Sequence, residues 1–270
     1  MLPILLTACD ATEAADSAPP GGADTDTSGP DSATDSAIDS GDSSDTAQDT
    51  GTFDPPDDCP VTTTGRQDIT SAAGTYFMGH PTPDVLGSPT VILLPGGNGI
   101  GPDGSGGNIW YAFRGDDIIA SGYRLVTPYV TEEGYPNTNV PDVAAILDEV
   151  LACWGGDPAK VHLVGHSNGG YLAYNVVGPE LGERFVTITG APAYFVRLEK
   201  QQLAGIAFHN AAGEDDPEWL EAMTEADQEL RDNGFESILS VWANTGHTPG
   251  AEWDGLAGMI AFWDAHPTRD

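Results

Sequence analysis

Residues Gly165-His166-Ser167-Asn168-Gly169-Gly170 set a serine between glycines two positions away on either side. A serine hydroxyl is a weak nucleophile until a neighbouring base takes its proton. To meet a substrate it must also project from a sharp turn, and such a turn tolerates only small flanking residues. The chemistry open to a serine so placed is acyl transfer, with a histidine as base and a carboxylate that holds the imidazole tautomer.

Where the nucleophile sits on a strand-to-helix turn, the acid and then the histidine follow it along the chain. Histidines occur at 80, 162, 166, 209, 247 and 266, so only the last two come late enough. His266 lies in the C-terminal run His266-Pro-Thr-Arg-Asp270, whereas His247 is carried by the glycine- and proline-bounded loop Asn244–Gly250. His247 is therefore the expected base, and His162 and His166 are expected to be packing residues. For the acid, Ala211–Pro217 offers Glu214, Asp215 and Asp216 in succession, and spacing from the base leaves all three open.

A tetrahedral oxyanion needs two backbone N–H donors. Asn168, directly after the serine, supplies one at a helix start, where the dipole also favours negative charge. The second is expected from the loop Leu94–Gly99, with Gly97 ahead of Asn98. The same loop contains Gly99-Ile-Gly101-Pro-Asp-Gly104, formally a dinucleotide fingerprint. Pro102 has no N–H to offer phosphate, and Asp103 would repel it, so that assignment is rejected.

These residues need a scaffold. Thr90–Pro95 and Lys160–Gly165 are short apolar runs ended by Pro or Gly, the pattern of fully buried strands. Further strands are expected at 123–130, 184–189, 205–209 and 235–242, and helices at 108–120, 141–153, 169–177, 217–233 and 252–263. Continuously apolar strands alternating with helices imply an α/β fold whose mostly parallel sheet is covered on both faces. The interval from Gly190 to Gly205 leaves no room for a large cap, so the site is expected to be open. Trp110, Tyr129, Tyr171 and Trp242 are candidates to line it, with burial in the core as the commoner fate of such residues.

The elbow Gly165–Gly170, the turn Gly213-Glu-Asp-Asp216-Pro217 and the run Gly246-His247-Thr248-Pro249-Gly250 together resemble the α/β-hydrolase superfamily. Within it they are most similar to extracellular esterases of the polyhydroxybutyrate-depolymerase, feruloyl-esterase and dienelactone-hydrolase-like group. The resemblance spans about residues 74–265. It implies a serine esterase with the triad Ser167, His247 and Asp216, because the family acid stands three residues after the glycine. It implies no metal and no cofactor. Pro95 departs from the pattern, since many members carry His before the oxyanion glycine. The alternatives are an acyltransferase or peptidase with the same triad, or a surface-binding lipoprotein that keeps the scaffold without catalysis.

Composition divides the chain near Cys59. Residues 10–58 are almost wholly Asp, Ser, Thr, Ala, Gly and Pro, too poor in apolar surface to offset backbone ordering, and so are expected to form a disordered acidic linker. An EF-hand-like match beginning at Asp24 follows from the abundance of Asp there. All nine basic residues lie at or after Arg66; residues 59–270 hold 28 acidic groups and a net charge of −19, against −33 for the whole chain. Such a field repels nucleic acid and anionic membrane surfaces. Met1–Cys9, ending Leu6-Thr-Ala-Cys9, resembles a lipoprotein signal remnant with Cys9 as the lipidated residue. It lacks the basic start and full length of such a signal. The expected location is the cell envelope or outside the cell, with membrane contact only through the lipid and an ester, small or polymeric, as the partner. Cys59 and Cys153 then remain, either as a disulfide or as two buried thiols.

Overall fold

The computed structural model describes residues 53–60, 65–97, 99–101, 105–129, 140–195, 201–250 and 253–269. Cys9, the acidic tract through Thr52 and Asn98 lie outside these.

Eight strands form one sheet in the order β1-β2-β4-β3-β5-β6-β7-β8: β1 (Arg66–Thr70), β2 (Thr75–Gly79), β3 (Thr90–Leu94), β4 (Arg124–Pro128), β5 (Val161–Gly165), β6 (Thr187–Gly190), β7 (Ala207–Gly213) and β8 (Ser237–Trp242). From β4 through β8 every pairing is parallel. β1 and β2, which were not expected, add an antiparallel hairpin at one edge, with Arg66 opposite Gly79. Parallel neighbours need crossover connections, and here helices provide them.

The side-chain period of two divides each buried strand between two cores. Val91 and Leu93 of β3 enter one core and Ile92 and Leu94 the other. One core is closed by α3 (Val140–Trp154) through Val143, Ile146, Leu147 and Val150. Its partner α6 (Pro217–Asp232) contributes Met223, Ala226 and Leu230. The opposite core takes α1 (Ser105–Ala112), α2 (Gly115–Ala120) and α7 (Leu256–Ala265), whose Met259, Phe262 and Trp263 are buried. Trp110, Tyr129 and Trp242 belong to this core and do not line the site.

Two helices differ from expectation. The segment 108–120 is broken at Arg114, which has φ 53° and donates from Nη1 to the Trp253 carbonyl (3.1 Å). The segment after Ser167 runs as α4 (Asn168–Leu172), a π-helical turn (Ala173–Val177) and α5 (Gly178–Leu181). Cys59 and Cys153 are joined as a disulfide, tying the chain ahead of β1 to the last turn of α3.

Candidate active site

The serine turn is built by close approach. Ser167 has φ 54° and ψ −117°, a conformation an L-residue holds only when its surroundings impose it. Its N–H donates to the Pro192 carbonyl (2.8 Å), while the N–H of His166 donates to Leu94 (3.1 Å). A Cβ on Gly165 would stand 2.3 Å from the Gly169 oxygen, and one on Gly169 would stand 2.2 Å from the Leu94 oxygen. Both glycines are therefore required. The strand arrives against β3, the helix leaves against it, and the serine is left at the carboxyl end of β5.

The loops that carry Asp216 and His247 are stitched together at the carboxyl ends of β7 and β8. Glu214 N–H donates to Trp242 O (2.8 Å), Asp215 N–H to Thr245 O (2.9 Å), and Asp216 N–H to Gly213 O (3.2 Å). These bonds leave Glu214 and Asp215 facing solvent and turn Asp216 inward. Its Oδ2 accepts from His247 Nδ1 at 2.7 Å, with side-chain exposures of 15% for the acid and 38% for the imidazole. A carboxylate on Nδ1 fixes the proton there and leaves Nε2 free to accept another. His266, the other late histidine, pairs with Glu236 at the opposite end of β8 (3.1 Å).

Ser167 and His247 line a common cavity of about 410 Å³ with Gly96, Gly97, Asn108, Ile109, Ala112, His166 and Thr248. Among the described residues no hydrogen bond joins the Ser167 hydroxyl to His247; in free enzymes that bond is often long and tightens with substrate. At the cavity's edge the amides of Gly97 and Asn168 take part in no backbone hydrogen bond to another described residue. The Asn168 side chain donates from Nδ2 to the Gly97 carbonyl, linking the two peptides. Among the described residues no group of His, Cys, Asp and Glu is arranged to hold a metal ion.

His166 was expected only to pack, and it does more. Its Nε2–H donates to the main-chain oxygen of His247 (3.0 Å), and the two rings lie 5.2 Å apart. Burial pushes the His166 imidazole down to about 4, so it is neutral at pH 7 and has one N–H to give. Its Nδ1, which has no hydrogen-bond partner among the described residues, packs against Gly96, where a Cβ would come within 2.6 Å. A histidine next to Ser167 carries no sequence signal for this role, because its partner lies 81 residues away. Trp219, whose ring centroid is 5.0 Å from that of His247, was likewise not anticipated.

No protein-family model and no curated protein matches the sequence. Solved structures do share the architecture. Esterase PE8 superposes with a TM-score of 0.54 at 20% identity, covering 75% of this chain and 100% of that one. A dienelactone-hydrolase-like promiscuous phosphotriesterase from metagenomic libraries gives 0.56 at 15% identity, with 76% and 98% covered. The chain has the α/β-hydrolase fold. An acetyl xylan esterase from Aspergillus awamori is similar at a TM-score of 0.54 and 12% identity, with 75% and 99% covered. A thermostable esterase is similar at 0.52 and 16% identity; there the chain spans 59% of its length. In the α/β-hydrolase fold, ligand sites gather beyond the carboxyl ends of the parallel strands, where Ser167, Asp216 and His247 all sit here.

Proposed function

We propose that this protein is a serine esterase that hydrolyses carboxylic esters through an acyl-enzyme. The observation that carries the reading is the 2.7 Å bond from His247 Nδ1 to Asp216, with Ser167 on its strained turn facing the same cavity as His247. Ser167 Oγ attacks the ester carbonyl as its proton passes to His247 Nε2. Asp216 holds the tautomer and stabilises the imidazolium. The Gly97 and Asn168 amides receive the oxyanion, which collapses as His247 returns the proton to the departing alcohol. Water then repeats the sequence and releases the acid. Three of the similar structures are esterases, which supports this reading.

The net charge of −19 in residues 59–270 favours neutral esters over anionic ones. The N-terminal run to Cys9 and the acidic tract after it support export and tethering at the cell envelope. The test of the activity is a p-nitrophenyl ester chain-length series. Ser167→Ala should lower kcat by about 10⁴-fold or more with the fold intact. Unchanged turnover in a folded variant would end the esterase reading.

A further inference from the structure

A second feature adjoins the same catalytic pair from outside the cavity. Three aromatic rings run in sequence from the His247 imidazole: Trp219 at 5.0 Å between centroids, Tyr194 5.5 Å further on, and Tyr171 5.4 Å beyond that. Both ends of the row are fixed to the site. Trp219 lies in the first turn of α6, three residues after Asp216, and the Tyr171 N–H donates to the Ser167 carbonyl (2.9 Å). Asn175, in the π-helical turn, pins the far end by donating to Tyr171 O (2.9 Å) and Tyr194 O (2.8 Å).

This row lies at the edge of the core, against which Tyr171 packs in part. Tyr194 is 38% exposed and Trp219 and Tyr171 are half-buried, whereas Trp110, Trp242, Trp253 and Trp263 are all at 4% or less. None of the three rings lines the cavity beside Ser167. Among the described residues, the two phenolic hydroxyls and the Trp219 indole N–H make no hydrogen bond. The row thus offers apolar faces with open polar edges, the property that makes Tyr and Trp effective binding residues.

We propose that Trp219, Tyr194 and Tyr171 form the subsite for the alcohol portion of the ester, and that this alcohol carries a neutral, flat-faced ring, aryl or sugar. The proposal rests on the esterase reading. An imidazole that has taken the serine proton must deliver it to the leaving oxygen, so the departing alcohol passes within hydrogen-bond reach of His247. The half-buried Trp219 ring packs against that imidazole, and the row continues from it. The acyl group is left the cavity walled by Ile109 and Ala112 beside the oxyanion donors. Ring faces reward a ring over a linear chain of equal size, and the open hydroxyls and indole N–H can bond to its substituents. Exposed Glu214, Asp215 and Glu218, all within five residues of Trp219 in sequence, repel an anionic ring.

The experiment compares kcat/KM for benzyl acetate, a methyl glycoside monoacetate and n-hexyl acetate, which share one acyl group, in wild type, Trp219→Ala and Tyr194→Ala. Wild type should favour at least one ring alcohol over n-hexyl by about tenfold, and which one names the source. Both variants should cut that ratio at least threefold, whatever their absolute rates. Tyr194→Phe, the milder change, should keep a benzyl preference and lose a glycoside one. Ratios unmoved in all three variants would overturn the subsite. A ring preference for ethyl phenylacetate over ethyl hexanoate, without one among the acetates, would overturn its assignment to the alcohol. If folded wild type hydrolyses none of these esters, the esterase reading itself falls and takes this proposal with it.

Discussion

The side-chain amide of Asn168 donates to the carbonyl oxygen of Gly97, so the residue after the proposed nucleophile Ser167 is tied to the loop that carries the other candidate oxyanion donor. The contact joins α4 to the loop after β3, across 71 residues of sequence. Gly97 has φ 62°, and holding its carbonyl also sets the direction of the peptides on either side. A preorganised donor pair costs no reorganisation as charge develops on the substrate oxygen.

Asn168→Ala keeps the backbone N–H but releases the Gly97 peptide. It should lower kcat by about tenfold, with a smaller change in KM. This is less than the roughly 10²–10³-fold that follows outright loss of a donor. Asn168→Asp, which cannot donate to a carbonyl, should be no better. Steady-state kinetics that leave both variants at wild-type kcat would show that the tie has no catalytic role.

Asp216 is the carboxylate on His247 Nδ1, while the main chains of Glu214 and Asp215 are held to the neighbouring loop. Asp216→Asn should therefore reduce kcat by about 10⁴-fold, because an amide cannot fix the same tautomer. Asp215→Asn and Glu214→Gln should each remain within a few-fold of wild type. A crippled Asp215→Asn beside an active Asp216→Asn would reverse the assignment.

Three buried imidazoles set an acid limit on stability. Burial takes His162 down to about 3, and His166 and His209 to about 4, from an ordinary value of 6.5. Each binds a proton more readily in the unfolded chain, so stability rises with pH through this window. The contribution is complete above pH 6.5 and is lost as pH falls from there toward 4. Three groups acting together amount to at most about 4 kcal/mol per pH unit. Denaturant midpoints should hold steady between pH 8 and 7 and drop sharply between pH 6 and 5. Equal midpoints at pH 7 and pH 5 would contradict this.

The Cys59–Cys153 bridge closes a separation of 94 residues. Loops of that size correspond to about 4–5 kcal/mol in the chain-entropy model, an upper figure for real bridges. Replacing both cysteines by alanine should cost about 2–5 kcal/mol of unfolding free energy, leaving kcat nearly unchanged because the bridge lies at the far end of α3. An unaltered urea midpoint would show that the bridge adds no stability.

Much of the scaffold was legible because its signals are local. The apolar runs of β3 and β5 are buried on both faces, so apart from His162 their residues are hydrophobic or small, and no long-range information is needed to see it. The serine turn was equally plain, since strand, glycines and helix lie within a few residues of Ser167. β1 left no such mark: Arg-Gln-Asp-Ile-Thr is an edge strand with one buried residue, and its polar face reads as loop. The helix expected over 108–120 is broken because Arg114 reaches Trp253, and Gly115 lies under Trp110, where a Cβ would approach within 2.5 Å.

The sequence alone determined the residue types: one serine on an elbow, two histidines late enough to serve it, of which His247 sits in the better loop, and three adjacent carboxylates. It also placed the glycines that the elbow cannot do without. The family resemblance pointed to Asp216, but what turns that carboxylate inward is visible only in the tertiary structure, in bonds from Glu214 and Asp215 to residues about thirty positions further on. Only the tertiary structure brought His166 under the backbone of His247, Asn168 to Gly97, and Tyr171, Tyr194 and Trp219 into one row. Each of those relationships joins segments far apart in the chain. No local spacing encodes them, and they exist only once the sheet has set the loops at its carboxyl edge side by side.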